Sequence, residues 1–350
     1  MNIIQFPIVV YLCRYQDKDS AGKFSRFVES YKKHPAGCDH LLIIIRKGFE
    51  KHESEWDKWT IPLYGISFKV RTYPDEHYTF GYLRLVMEDY PDQYILFCMA
   101  TCEILVDNWL NLFMQHAQSN RILGCCGSYE SANSNNSFDK KMRKLNQIRC
   151  SRFSALVKHN VFCLKMCPYL TNTSFLLRIK YKIKRNLYWL LQKKLNWEKF
   201  CLSNFYPFPN PALRTATFMV PPQLLKTIYY WPDIVSITSK NVEFLFESGK
   251  YSLSIQALIA GYELFVIGAD GKAYPIEEWR NSKTFRSHQQ ENLIIADHHN
   301  RCYDAASDKV KKRLEEKSYG QGNVDLTSFW ERIRCVDITE IPHFFKQKNG

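Results

Sequence analysis

A chain of 350 residues that is 45% hydrophobic and 15% aromatic can bury one large core or two modest ones, which excludes a disordered polypeptide. Its formal net charge of +13 is not spread evenly, because Asp139 to Phe200 holds sixteen Lys and Arg against only Asp139 and Glu198. A near-neutral body with one basic segment argues against a general nucleic-acid binder and for a globular enzyme carrying a basic docking element. Met1 to Arg14 has no basic start and no long apolar stretch, so no signal peptide is expected, and no apolar run is long enough to span a bilayer. The 12 cysteines are therefore expected to be reduced, in a cytoplasmic compartment. They form no CxxC pair, and buried small hydrophobes explain them better than a structural zinc site.

Pro7 to Cys13 is an apolar run of the kind a buried parallel strand shows. Helical spacing follows through Phe24, Phe27, Val28 and Tyr31. Strands are predicted over His40–Ile45, Phe68–Tyr73 and Gln93–Phe97, with helices over Gly81–Tyr90 and Asn108–Gln118. This order predicts a mainly parallel α/β sheet with helices on both faces, a nucleotide-binding architecture. Ser131 to Ser137 is loop-like and opens the basic insert. There, Leu176, Ile179, Ile183, Leu187 and Leu190 form a helical stripe, although Arg178 to Lys184 also alternates as a β-ribbon would. A basic amphipathic helix with Tyr188, Trp189 and Trp197 fits an anionic membrane surface, and equally a helix packed on the domain with a solvated basic face. Ala212 to Val220 reads as one strand after the rigid Pro207–Pro211 turn. The tail from about Val310 reads as charged and helical, then irregular.

The most informative stretch is Phe244 to Ile267. It places Glu247 between an apolar run and a predicted helix, with a Gly261 break and a β-like run, Glu263 to Ile267, behind it. A carboxylate at a strand-to-helix junction is where an α/β enzyme holds a general base, since loops at strand ends form the cleft. The alternative is a carboxylate that merely favours the positive end of its helix, an effect of under about 1 kcal/mol.

Set behind the alternating first half, this segment resembles the GT-A fold glycosyltransferases of the inverting, family 2-like group, over roughly residues 6 to 300. Glu247, Leu253 and Gly261 are similar to the acidic residue, leucine and glycine of the helix segment that supplies the catalytic base in that group. Asn210 to Met219, Phe246 to Gly249, Gly268 to Gly271, Trp279 to Phe285 and Asn292 to Asp297 resemble, in order, phrases of a bacterial polysaccharide-type subset. The resemblance implies a nucleotide-sugar-binding half over 1–138, the basic, mostly helical insert over 139–205, an acceptor-binding and catalytic half over 206–305 and a helical tail over 306–350. It implies transfer of a sugar from a nucleotide-sugar donor to a glycan or lipid-linked acceptor, with Glu247 as base. Arg14, Asp75, Thr101 and Glu103 would face the donor, and Arg214, Thr215, Gly249 and Trp279 the acceptor. Peripheral association with the inner membrane face through residues 140–200 is expected on this reading.

One departure bears on the chemistry. The Asp-x-Asp pair that holds a cation on the donor diphosphate in most such enzymes is replaced by Thr101-Cys102-Glu103. Strand two ends as Arg46-Lys47-Gly48, without the aspartates that read the base. Mg²⁺ or Mn²⁺ would have Glu103 and His298 as ligands here, a sparse oxygen set for a hard cation, so metal-independence is the other expectation. A GT-A-like domain that has lost catalysis and acts as a binding or scaffold partner is the alternative function.

Overall fold

Every residue from Ile8 to Cys13 is at most 4% exposed, which is possible only if both faces of the strand are covered. In the computed structural model, which describes residues 6–15, 19–50, 52–74, 79–133, 196–233 and 240–349, this run is β1, Ile8–Arg14. It pairs in parallel with β2, Leu41–Lys47, in the register Ile8↔Leu41 to Arg14↔Lys47. The first helix, α1 (Ser20–Lys33), turns Phe24, Phe27 and Val28 into the core at the predicted spacing. Phe27 stacks on Tyr11 of β1 with ring centroids 3.8 Å apart.

The helix α2 (Glu53–Thr60) was not anticipated from the sequence. It buries Trp56, and the two guanidinium arms of Arg46 hold the Glu53 carboxylate at 2.6 and 2.8 Å. Beyond it lie β3 (Phe68–Tyr73), α3 (Thr79–Asp89), β4 (Ile95–Cys98), the short β5 (Glu103–Ile104) and α4 (Trp109–Met114). The last is shorter than the predicted 108–118 helix. Next come β6 (Arg121–Gly124) and β7 (Gly127–Ser128).

After the insert the chain returns as β8 (Ala212–Leu213) and β9 (Thr217–Val220). These two replace the single strand expected over 212–220. β8 pairs with β7, whereas β9 lies antiparallel between β4 and β6, and the chain bends at 214–216 to change ladders. With β10 (Glu263–Ile267) and β11 (Ala273–Tyr274), the eight-stranded sheet has the order β11-β10-β6-β9-β4-β1-β2-β3. A separate two-stranded ladder joins β5 to β12 (Ile295–Ala296). The architecture is mixed α/β with a mainly parallel sheet, as the periodicity predicts.

Residues 1–130 and 209–350 belong to one compact unit, which holds the sheet and the C-terminal helices. The described residues 131–133 and 196–208 belong to a second. In that unit a helical stretch over 196–204, α5, stacks Trp197 on Phe200 with centroids 5.4 Å apart, and Asn133 Nδ2 donates to the Phe205 carbonyl at 3.2 Å. The predicted stripe from Leu176 to Leu190 lies outside the described residues. No helix among the described residues is long and apolar enough to cross a membrane.

The remaining helices are α6 (Leu224–Thr227), α7 (Lys240–Ser248), α8 (Leu253–Ile259), α9 (His298–Asp304), α10 (Asp308–Tyr319), α11 (Thr327–Arg334) and α12 (Glu340–Asn349). The tail is thus helical well past the point where the sequence reads as irregular, because Phe329, Ile341 and Phe345 are fully buried and anchor it.

Candidate active site

The strand order reverses at β1: β2 and β3 extend to one side, while β4 lies on the other. In an open α/β sheet the crevice beyond the carboxyl ends of strands at such a switch point is where ligands bind. Here that crevice is edged by Arg14 at the end of β1, by Tyr15 beyond it and by Met99 to Glu103 after β4. The 214–216 bend leading into β9 reaches the same edge, because β9 runs against its neighbours. Tyr11 donates its hydroxyl to the Ala100 carbonyl at 2.9 Å, and Met99 N–H donates to the Ala216 carbonyl at 2.9 Å, so the three segments are tied together.

Glu247 sits elsewhere than its sequence suggests. The apolar run before it is helical, not a strand, and Glu247 occupies the last turn of α7. A separate helix, α8, starts six residues on with Ser252 as its cap. The carboxylate therefore faces the negative end of a helix dipole, which disfavours its charge, and the idea of a carboxylate stabilised at a helix start is overturned. Burial pushes its pKa up and Glu243 one turn away adds to this; Lys240, Arg214 and a hydrogen bond from the Thr215 hydroxyl pull the other way. The net direction is upward.

Local fastening explains how Glu247 meets 214–215. Asn210 Nδ2 donates to the Ser248 carbonyl at 3.0 Å, and Leu213 N–H donates to Ser254 Oγ at 3.0 Å. The Asn-Pro-Ala-Leu-Arg segment is thereby pinned to the end of α7 and the start of α8. Gly249 packs against the turn it follows: a Cβ there would lie 2.6 Å from the Leu245 carbonyl oxygen. Its place is structural as well as close to the base. Arg14, at the end of β1, is a like charge close enough to Lys240 to work against its protonated form.

Arg214 is half-buried, with its guanidinium 5.2 Å from the centre of the Phe285 ring. Arg286 lies over the same ring at 4.7 Å. Behind them Glu130 accepts from Arg286 Nη1 at 2.9 Å and from Lys317 Nζ at 2.5 Å. Although burial works against its charge, Lys317, Arg286 and Arg214 hold the Glu130 carboxyl down at about 2. Sequence reading missed this cluster, since Glu130, Arg286 and Lys317 come from distant segments with no shared pattern.

The second half of the crevice is built by the β5–β12 ladder, which sets Ala296 opposite Glu103. His298 therefore lies beside the turn after β4, and its backbone N–H reaches Thr101 Oγ1 at 3.4 Å. Asp297 caps α9, accepting from the N–H groups of His299 and Asn300 at 2.6 and 2.9 Å. Glu103 Oε2 lies 3.4 Å from Arg301 Nη1 and 3.8 Å from Arg26 Nε, and Arg301 Nη2 donates to the Thr101 carbonyl at 2.8 Å. The Thr101–Glu103 turn and His298, 197 positions beyond Thr101, are thus neighbours. Arg26 and Arg301 were not singled out in the sequence; Arg26 reaches Glu103 because Ser30, one turn later on α1, accepts from the Ile104 N–H at 3.0 Å.

Two expected site residues are not placed in the crevice. Trp279 is 0% exposed and fills the space above Gly127, so it offers no ring face to a sugar; this corrects its assignment to the acceptor side. Asp75 lies outside the described residues.

No family model and no curated protein matches the chain. Among solved structures, that of mouse xyloside xylosyltransferase 1 in its apo form aligns over 40% of this chain and 58% of its own, with 8% identity and a TM-score of 0.28. A Bacillus anthracis protein assigned as a glucose-1-phosphate thymidylyltransferase, in complex with sucrose, aligns over 36% of this chain and 57% of its own, with 14% identity and a TM-score of 0.23. The chain thus spans less than two thirds of the length of each of these two structures.

Proposed function

We propose that the chain is a glycosyltransferase that moves a sugar from a nucleotide-sugar donor to a hydroxyl of a glycan or lipid-linked acceptor, with inversion at the anomeric carbon. The observation that carries this reading is the Glu247 carboxylate, raised in pKa by burial and hydrogen-bonded by Thr215, beside Arg214 at the carboxyl edge of the sheet. A carboxylate of raised pKa is a stronger base near neutral pH, and base catalysis contributes roughly a hundred- to ten-thousand-fold.

In the proposed step Glu247 takes the proton of the acceptor hydroxyl. The hydroxyl oxygen bonds to the anomeric carbon from the face opposite the leaving group. The bond from that carbon to the donor phosphate oxygen breaks, and the nucleoside diphosphate departs with the electron pair. Arg14, Thr101 and the Glu103 turn line the donor side, at the switch point; Asp75 is kept as a donor-side proposal. Arg214, Thr215 and Gly249 line the acceptor side. The ordered phrases from Asn210 to Asp297 support a surface-polysaccharide acceptor, and the basic segment 140–200 supports peripheral contact with an anionic membrane at the cytoplasmic face.

The test is incubation with UDP-, GDP- and dTDP-linked sugars, followed by thermal shift and by release of nucleoside diphosphate. Turnover by the wild type that is lost in Glu247→Gln is the expected result. Absence of both binding and turnover with every donor sinks the proposal, and binding without turnover favours the scaffold alternative.

A further inference from the structure

The cation expected from the resemblance does not fit the residues that would hold it. A divalent ion of this kind takes hard oxygen ligands in near-octahedral geometry and is drawn to a site of net negative charge. At the end of β4, Glu103 supplies the one carboxylate of the Thr-Cys-Glu turn, and the same oxygen, Oε2, already faces both Arg301 at 3.4 Å and Arg26 at 3.8 Å. The local balance is two guanidinium charges against one carboxylate. Thr101 has its hydroxyl engaged by the His298 N–H and its carbonyl engaged by Arg301. Asp297, the next carboxylate along, is 5% exposed and caps α9 through Oδ1. Among the described residues no group of three or more His, Cys, Asp and Glu is gathered as a metal site would need.

What the same place offers is partly exposed positive charge beside the turn after β4. Arg301 is held from below by Thr101 and Glu103, with its side chain 29% exposed, and Arg26 is 39% exposed at the rim. A guanidinium fixed by one carboxylate and one carbonyl keeps further N–H donors in a planar fork that suits phosphate oxygens. We infer that the donor diphosphate is neutralised here by Arg301 and Arg26 in place of a divalent cation, an inference that rests on the nucleotide-sugar reading. Glu103 then orients the two arginines and does not ligate metal. Arg26 comes from α1 and Arg301 from α9, so the pair closes on a diphosphate from two sides of the turn that follows β4.

The experiment is calorimetric titration of the full chain with UDP, GDP and dTDP, in EDTA and again with Mn²⁺, together with electron paramagnetic resonance of Mn²⁺ titrated alone. The expected result is a nucleoside diphosphate whose Kd in EDTA and in Mn²⁺ agrees within about threefold, with no tightly held Mn²⁺ signal. Arg301→Gln and, separately, the rim variant Arg26→Gln should each weaken that binding by about 10- to 100-fold in EDTA, the loss expected for a charge-assisted hydrogen bond. Binding that disappears in EDTA and returns with Mn²⁺ overturns the inference and leaves the transferase reading standing. Unchanged affinity in both arginine variants overturns it too. Failure of every nucleoside diphosphate to bind in either condition overturns the inference together with the reading it rests on.

Discussion

Glu130→Gln should destabilise the folded protein by about 3 kcal/mol near neutral pH, and the deficit should vanish in acid. The carboxylate accepts from Arg286 and Lys317, whose side chains are 5% and 14% exposed. Glutamine has nearly the same size but no charge, so the buried Arg286 and the partly buried Lys317 lose their counter-charge. Breaking a buried ion pair on one side costs about 3–5 kcal/mol. The electrostatics give a similar figure: a carboxyl lowered from 4.5 to about 2 corresponds to about 3 kcal/mol of stability. The sign follows from the depressed folded value. The contribution is fully present above 4.5, where the unfolded chain is also ionised, and is lost as pH falls through about 2. Urea unfolding of wild type and variant at a series of pH values reads this directly. The two curves should be separated near pH 7 and should converge in the acid range. A gap below about 1 kcal/mol at neutral pH, or one that stays constant as pH falls from about 5 to 3, would refute the reasoning.

Glu247→Gln should lower sugar transfer by roughly a hundred- to ten-thousand-fold while leaving donor binding near normal, measured by initial rates and titration. It should also melt no lower than wild type near neutral pH: a carboxyl raised by burial favours folding only in its protonated form, an advantage lost as pH rises through the raised value. Arg214→Met removes a charge that lowers the Glu247 pKa, so the acid limb of the pH–rate profile should move to higher pH; an unmoved limb would separate the two residues. Gly127→Ala would place a methyl group 2.4 Å from two carbons of the buried Trp279 ring, and should cost about 1–3 kcal/mol in a denaturation curve with a shifted tryptophan emission.

The sequence carried the parallel sheet well because Pro7–Cys13 and His40–Ile45 announce burial on both faces by composition alone, and α1 by the spacing of Phe24, Phe27 and Val28. It misjudged segments where local pattern and tertiary role diverge. Ala212 to Val220 reads as one strand because apolar and β-favouring residues run through most of it, yet the chain uses them in two ladders and bends at 214–216, where all three residues are partly exposed. Phe244–Phe246 has the look of a strand end, but a run that short fits a buried helix turn equally well. Trp279 has the chemistry of a sugar platform, and only the position of Gly127 beneath it shows that its faces are spent in the core.

Residues such as Arg26, Glu130, Arg286, Arg301 and Lys317 were invisible as site components for a further reason. Charged side chains at irregular spacing carry no periodic signal, and their meaning depends on which distant segment they meet. The sequence alone determined the α/β class, the local basic surplus of Asp139 to Phe200 and the prominence of Glu247. Tertiary structure decided that Glu247 ends a helix beside Arg214 and Thr215, and that Glu103 meets two arginines. The first set follows from composition and short-range period, which burial imposes residue by residue. The second follows from strand order and the β5–β12 ladder, which bring together groups nearly two hundred positions apart.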